Sequence, residues 1–168
     1  LVCGVLIGSF YALGPVYATM AGLDVSKTSV FMAVAIVAAM LLAWPLGRIC
    51  DRFDRRRVMF MVSMIAAITA VVVATTGSES IPVLMVLVGV FTGFSATLYP
   101  IAVAITNDRL ESHQIVAASA TLLLSYGIGS VIGPIVMAEL MGALGPSGLF
   151  WGSAGFLVLL AIATSYRI

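Results

Sequence analysis

The chain has 168 residues, 62% of them hydrophobic and 9% charged, with a mean hydropathy of +1.19 and a net charge of +1. That composition excludes a water-soluble domain, and no nucleic-acid partner is expected. Charged residues divide the sequence into six uncharged stretches, 1–23, 28–47, 58–78, 80–107, 114–138 and 140–166, each of twenty residues or more. About twenty residues suffice for a helix to cross a ~30 Å hydrocarbon core. The expected fold is all-α and integral to a membrane. A single bundle over 1–168 would hold helices at about 1–23, 28–47, 58–77, 81–106, 113–141 and 147–166.

The first helix opens on Leu1 with no basic n-region and no small-residue cleavage site. It is therefore not read as a signal peptide, and the chain reads as a piece of a longer polypeptide. Ser9, Tyr11, Gly14, Pro15 and Tyr17 fall near its middle. Pro15 removes a backbone hydrogen bond and Gly14 loosens the turn, so a kink or partial unwinding is expected. Freed carbonyls at membrane depth are tolerated only inside protein or beside a wet cavity. The kink serves either a helix that flexes along a substrate path or tighter packing.

Between the second and third helices, seven of the fifteen formally charged residues crowd into positions 48–57. A short loop at the membrane surface is expected there. Asp51 falls at the C-terminal end of the second helix, where the helix dipole disfavours an anion. Arg55, Arg56 and Arg57 open the third, where it disfavours cations. Both signs are therefore expected to serve partners outside their own helices. The basic residues also fix topology and attract lipid headgroups.

The fourth helix carries Gly89, Phe91, Gly93, Phe94, Ser95, Tyr99 and Pro100. Gly89 and Gly93 form a small-xxx-small pair. Phe91, Phe94, Ser95, Tyr99 and Pro100 give an aromatic and hydroxyl face, read either as packing or as a cavity wall for a neutral or amphipathic solute. Asp108 and Glu111 have capping-box spacing before the fifth helix. In that helix Gly129 and Gly133 are four apart and Pro134 follows, a close-packing face with a bend. Glu139, near its outer end, either snorkels to the interface or pairs with Lys27. No acidic residue falls mid-membrane in the first or fourth helix, so the segment shows no proton relay.

Numbering the connections alternately puts seven of eight Lys and Arg residues at one face and Lys27 alone at the other. The positive-inside rule makes the 47–57 and 106–114 loops and both chain ends cytoplasmic. The connections 23–28, 77–81 and 142–147 then face outward. Cys3 and Cys50 share the cytoplasmic face and are expected to be reduced, as small hydrophobes at helix ends. With His113 they form no metal-site spacing, and no metal or cofactor is expected. Without converging His, Cys, Asp or Glu at membrane depth, a membrane-embedded enzyme is not expected. Gly8-Ser9-Phe10 recurs as Gly89-Val90-Phe91 at an offset of 81, an echo that a 3+3 inverted repeat would leave.

The 47–59 stretch resembles motif A of the major facilitator superfamily, G-x-L-a-D-r-x-G-r-[rk]-x-x-[lm], through Gly47, Asp51, Arg52, Arg55, Arg56 and Met59. Asp54 stands where the family has its second Gly, which puts the usual tight turn in question, although Asp tolerates left-handed geometry. Ile7–Pro15, Leu98-Tyr99-Pro100 and Asn107-Asp108-Arg109-Leu110 are similar to the C-terminal halves of the YcaD-type bacterial permeases.

The resemblance implies one six-helix half of a twelve-helix transporter in a bacterial inner membrane, with a membrane lipid, a small-molecule substrate and the N-terminal half as partners. It also implies that the first and fourth helices line the cavity, the second and fifth face the other half, and the third and sixth support them. Asp51 would meet a helix N-terminus in the other half and hold the cytoplasmic side closed. Arg52 and Arg55 would latch nearby, Arg55 also standing at i,i+4 to Asp51. Cavity candidates are Tyr11, Gly14, Pro15, Phe94, Ser95 and Tyr99. The competing expectation is a self-associating six-helix protein with a structural or channel role, dimerising through glycine-rich faces.

Overall fold

The computed structural model describes residues 1–76, 80–108, 110–111 and 113–166. These hold α1 (Val2–Met20), α2 (Val25–Arg52), α3 (Arg55–Thr76), α4 (Ile81–Asn107), α5 (Ile115–Leu144) and α6 (Gly148–Ser165), with no strand among the described residues. All six are long and apolar enough to cross a membrane. Part of the 77–81 connection and two of the residues counted for orientation, Arg109 and Arg167, lie outside the described residues.

The turns are set by local chemistry. After α1, Gly22 adopts φ +86° and the Leu23 N–H reaches back to the Ala18 carbonyl at 3.0 Å, a Schellman closure that only a residue free of Cβ strain makes cheaply. Asp24 then caps α2, its side chain accepting the Lys27 N–H at 2.8 Å while the Lys27 ammonium lies 3.6 Å away. Lys27 thus pairs with Asp24, and of the two readings of exposed Glu139 the pairing with Lys27 does not occur.

The charged segment is not the 47–57 loop that the sequence suggested. Only Phe53 and Asp54 leave the helical state between α2 and α3. The 28 residues of α2 run about 42 Å at ~1.5 Å per residue. The helix is therefore longer than a ~30 Å hydrocarbon core requires. Arg52 sits in its last turn, where the dipole favours a cation.

Nor does α1 unwind at Pro15. The helix runs unbroken past it, as α2, α4 and α5 run past Pro45, Pro100 and Pro134.

The main packings are α2 on α4, α1 on α5, α3 on α6 and α3 on α4. Exchanging the first three helices with the last three carries the α1–α5 contact onto the α4–α2 contact, as an inverted repeat requires. The Gly8/Gly89 echo falls on it. A Cβ on Gly8 would meet the Ser130 backbone of α5 at 2.7 Å, and one on Gly89 would meet the Ala38 side chain of α2 at 3.2 Å. Phe10 and Phe91 meet each other with ring centroids 6.1 Å apart.

Those two rings belong to a closed aromatic circuit at the centre of the bundle. Phe10 touches Phe31 of α2, Phe31 touches Tyr17, Tyr17 touches Phe150 of α6, and Phe150 touches Phe91. Phe91, whose face reads either as packing or as a cavity wall, is 1% exposed and serves this core. By contrast α2 buries only Phe31, Ala35, Leu46 and Cys50, and α5 only Gly129, Gly133, Met137 and Met141. These two long helices keep most of their surface outside the bundle.

Candidate functional site

On α2, Ala39, Ala43, Gly47 and Asp51 recur every four residues and therefore share one face. Ala96, Pro100 and Ala104 do the same on α4. The two stripes wall a groove of about 330 Å³ with Asp51 and Arg55 at its charged end. Small side chains keep it open: a Cβ built on Gly47 meets nothing within 4 Å. Such walls admit the backbone of another helix.

Electrostatics at the charged end divide three carboxylates into three roles. Asp54 is an N-cap, its Oδ1 accepting the Arg56 N–H at 2.9 Å and the Arg57 N–H at 3.1 Å. Those bonds, from Arg57 first and then Arg56, hold its carboxyl below the usual carboxylate range. Among the described residues none other than glycine takes a positive φ, so Asp54 replaces the motif's glycine by capping and not by left-handed geometry. Asp108 lies at the C-cap of α4 and accepts from the Arg55 guanidinium at 3.0 Å. This corrects two expectations. Arg55 pairs with Asp108 and not with Asp51 one turn back, and Asp108 does not open α5, whose N-cap is Gln114. All three aspartates are exposed, and Asp51 differs in having neither a side-chain hydrogen bond nor an ion-pair partner among the described residues. Arg52 is exposed and Arg56 half-buried.

The cavity candidates separate by depth. Tyr11 is 47% exposed, Pro15, Phe94 and Tyr99 are half-buried, and Gly14 and Ser95 are buried inside the bundle. Gly14 packs on Phe10 and on the Met32 sulfur. The Ser95 hydroxyl has no hydrogen-bond partner. Tyr99 meets Tyr126 of α5 edge to face at 5.0 Å, a half-buried partner that the sequence reading passed over as part of a packing motif. Its signal was present, since an amphipathic ring beside Ser125 suits a wet wall better than lipid.

Gly129 and Gly133 lie against α1, where a Cβ on Gly133 would meet the Val5 carbonyl oxygen at 2.6 Å, and Pro134 follows half-buried. Cys3 and Cys50 are buried free thiols. Among the described residues no three His, Cys, Asp or Glu side chains come together as a metal site.

The Major Facilitator Superfamily model matches residues 1–167. The chain is 36% identical over 164 residues to an uncharacterized MFS-type transporter YcaD of Salmonella arizonae, an alignment covering 96% of this chain and 42% of that one. Counterparts in Salmonella paratyphi B and Salmonella newport are 35% identical over the same lengths. The chain thus spans 42% of the length of these curated relatives.

Proposed function

This chain belongs to the major facilitator superfamily, and we propose that it is the C-terminal six-helix half of a secondary transporter moving a small solute by rocking-bundle alternating access. The reading places it in a bacterial inner membrane with the Arg48–Arg57 end cytoplasmic. It carries solute across without chemical conversion. The observation that carries the proposal is the open groove between α2 and α4 running to an unpaired carboxylate. A helix of the other half fits the small-residue walls and presents its N-terminus to Asp51, whose charge the α2 dipole disfavours. Arg55, tethered to Asp108, holds that corner in register beside Asp51. Gly47 keeps the groove open, while Arg52 and Arg56 flank the latch at the headgroup level.

Rocking the halves apart breaks that contact and opens the cytoplasmic side. Tyr11, Pro15, Phe94 and Tyr99, with Tyr126 behind Tyr99, line the solute path, and Gly14 and Ser95 stand one layer deeper. This lining suits a neutral or amphipathic solute, and a strongly cationic one would take its counter-charge from the other half.

The test uses full-length transporter with Cys3 and Cys50 replaced by Ser and a single Ala43→Cys in the groove. A membrane-impermeant maleimide should modify Ala43→Cys slowly, and Asp51→Asn should speed it about tenfold, the population shift expected from one charged hydrogen bond of about 1.5–3 kcal/mol. Equal rates with and without Asp51→Asn would sink the latch. A fast rate in both, with a detergent-solubilised mass twice that of one chain, would favour the self-associating alternative.

A further inference from the structure

The opposite flank of α2 carries a second groove of different chemistry. Ile49, Phe53, Val58 and Met61 line an apolar recess of about 380 Å³ between the end of α2 and the start of α3, with Arg57 at its rim. It exists because α2 and α3 barely touch. Its walls are accessible, with Phe53 66%, Met61 59% and Ile49 41% exposed, while buried Val58 forms the floor. Arg57 lines the rim, Arg48 and Arg52 stand on the same end of α2, and none of the three has a carboxylate within ion-pair distance among the described residues. Asp54 at the same rim is already committed to two backbone N–H groups of α3. One turn deeper the Arg48 guanidinium lies 4.0 Å over the Trp44 ring, a pairing suited to the level where headgroups meet hydrocarbon.

We propose that this recess seats one anionic phospholipid. A single acyl chain lies over Val58 between Ile49, Phe53 and Met61, and the phosphate is held by Arg57 with Arg52 beside it. The charge balance selects an anionic lipid over a zwitterionic one, which would bring its own cation to helix ends where Arg48, Arg52 and Arg57 outnumber Asp51 and Asp54. The apolar walls select a lipid over free phosphate. The flank selects a lipid over the other half, because the stripe fitted to a partner helix runs along the other side of α2 through Asp51.

Native mass spectrometry of the full-length transporter tests this, with phosphatidylglycerol, phosphatidylethanolamine or inorganic phosphate added separately. Wild-type protein should retain phosphatidylglycerol in preference to phosphatidylethanolamine and retain no phosphate. Arg57→Gln should lower phosphatidylglycerol retention about tenfold and leave phosphatidylethanolamine unchanged. Met61→Trp, which fills the recess and keeps every charge, should lower it comparably. Lys27→Gln at the far end should change nothing.

The proposal is overturned by undiminished retention in Arg57→Gln, or by equal loss in Lys27→Gln, which would mean general charge attraction. It is overturned too if Met61→Trp is silent or inorganic phosphate is itself retained, since the apolar recess then plays no part. A photo-crosslinking residue at Phe53 should join lipid, and joining the other half of the transporter would equally refute it.

Discussion

At the residue scale, three aspartates within one corner differ because of what their oxygens touch. Asp54 accepts two backbone N–H bonds, Asp108 accepts a guanidinium, and Asp51 accepts neither. Asp54's depressed pKa fixes the sign of its pH dependence. The cap contributes fully above the ordinary carboxylate range and is lost as pH falls through the lowered folded value. The melting temperature of Asp54→Ala should therefore lie below wild type at neutral pH, and the gap should close under acid. Asp54→Asn, which caps without titrating, should keep its stability across the same range.

The Arg55–Asp108 pair is partly exposed, 31% and 54% for the two side chains, so its net stabilisation is about 0–1 kcal/mol. Its value lies in position. Arg55→Asp should impair transport more than it lowers the melting temperature, and adding Asp108→Arg should recover most of the transport. No recovery in the swapped double variant would mean that the pair does not orient the corner.

The sequence contained the Asp54 signal, an N-cap residue directly before a helix opening on three arginines. The motif's glycine drew the reading towards turn geometry instead. Asp108 was illegible because its partner lies 53 residues away.

At the element scale, glycine spacing marks a close approach without naming the neighbour. Gly129 and Gly133 are four apart in the sequence, but that α1 is what approaches them follows only from the packed bundle. Gly133→Val should lower the thermal stability of the purified protein by an amount typical of overpacking, about 1–3 kcal/mol. Gly142→Val, on the same helix where a Cβ meets nothing within 4 Å, should be near neutral. Equal effects would mean that backbone propensity and not the α1–α5 contact governs both sites.

Helix number was legible because each span is an uncharged stretch of sufficient length. The end of α2 was not, since the reading treated charge as the edge of a helix. In fact charge marks the edge of the hydrocarbon, and a helix with Arg48 and Arg52 at its C-terminal end is stabilised beyond it. The role of Phe91 stayed open for a related reason: an aromatic stripe looks the same whether it faces a cavity or, as here, the rings of Phe10 and Phe150.

At the scale of the whole molecule, the bundle is two three-helix units exchanged about the α1–α5 and α2–α4 contacts, with α2 and α5 left largely uncovered. Its orientation is open to direct test. A cysteine at Ser26 should react with an impermeant reagent from outside intact cells, and one at Glu111 should not. The reverse pattern would invert the topology.

The central claim is that this bundle moves as one body against another, so that its two ends open in opposition. Pulsed spin-label distance measurement on the full-length transporter addresses this most directly. One label pair would span the halves from Glu111 and a second pair from Ser26. Asp51→Asn should lengthen the Glu111 distance and shorten the Ser26 distance together. Two distances that stay fixed, or that change in the same sense, would contradict alternating access through this interface.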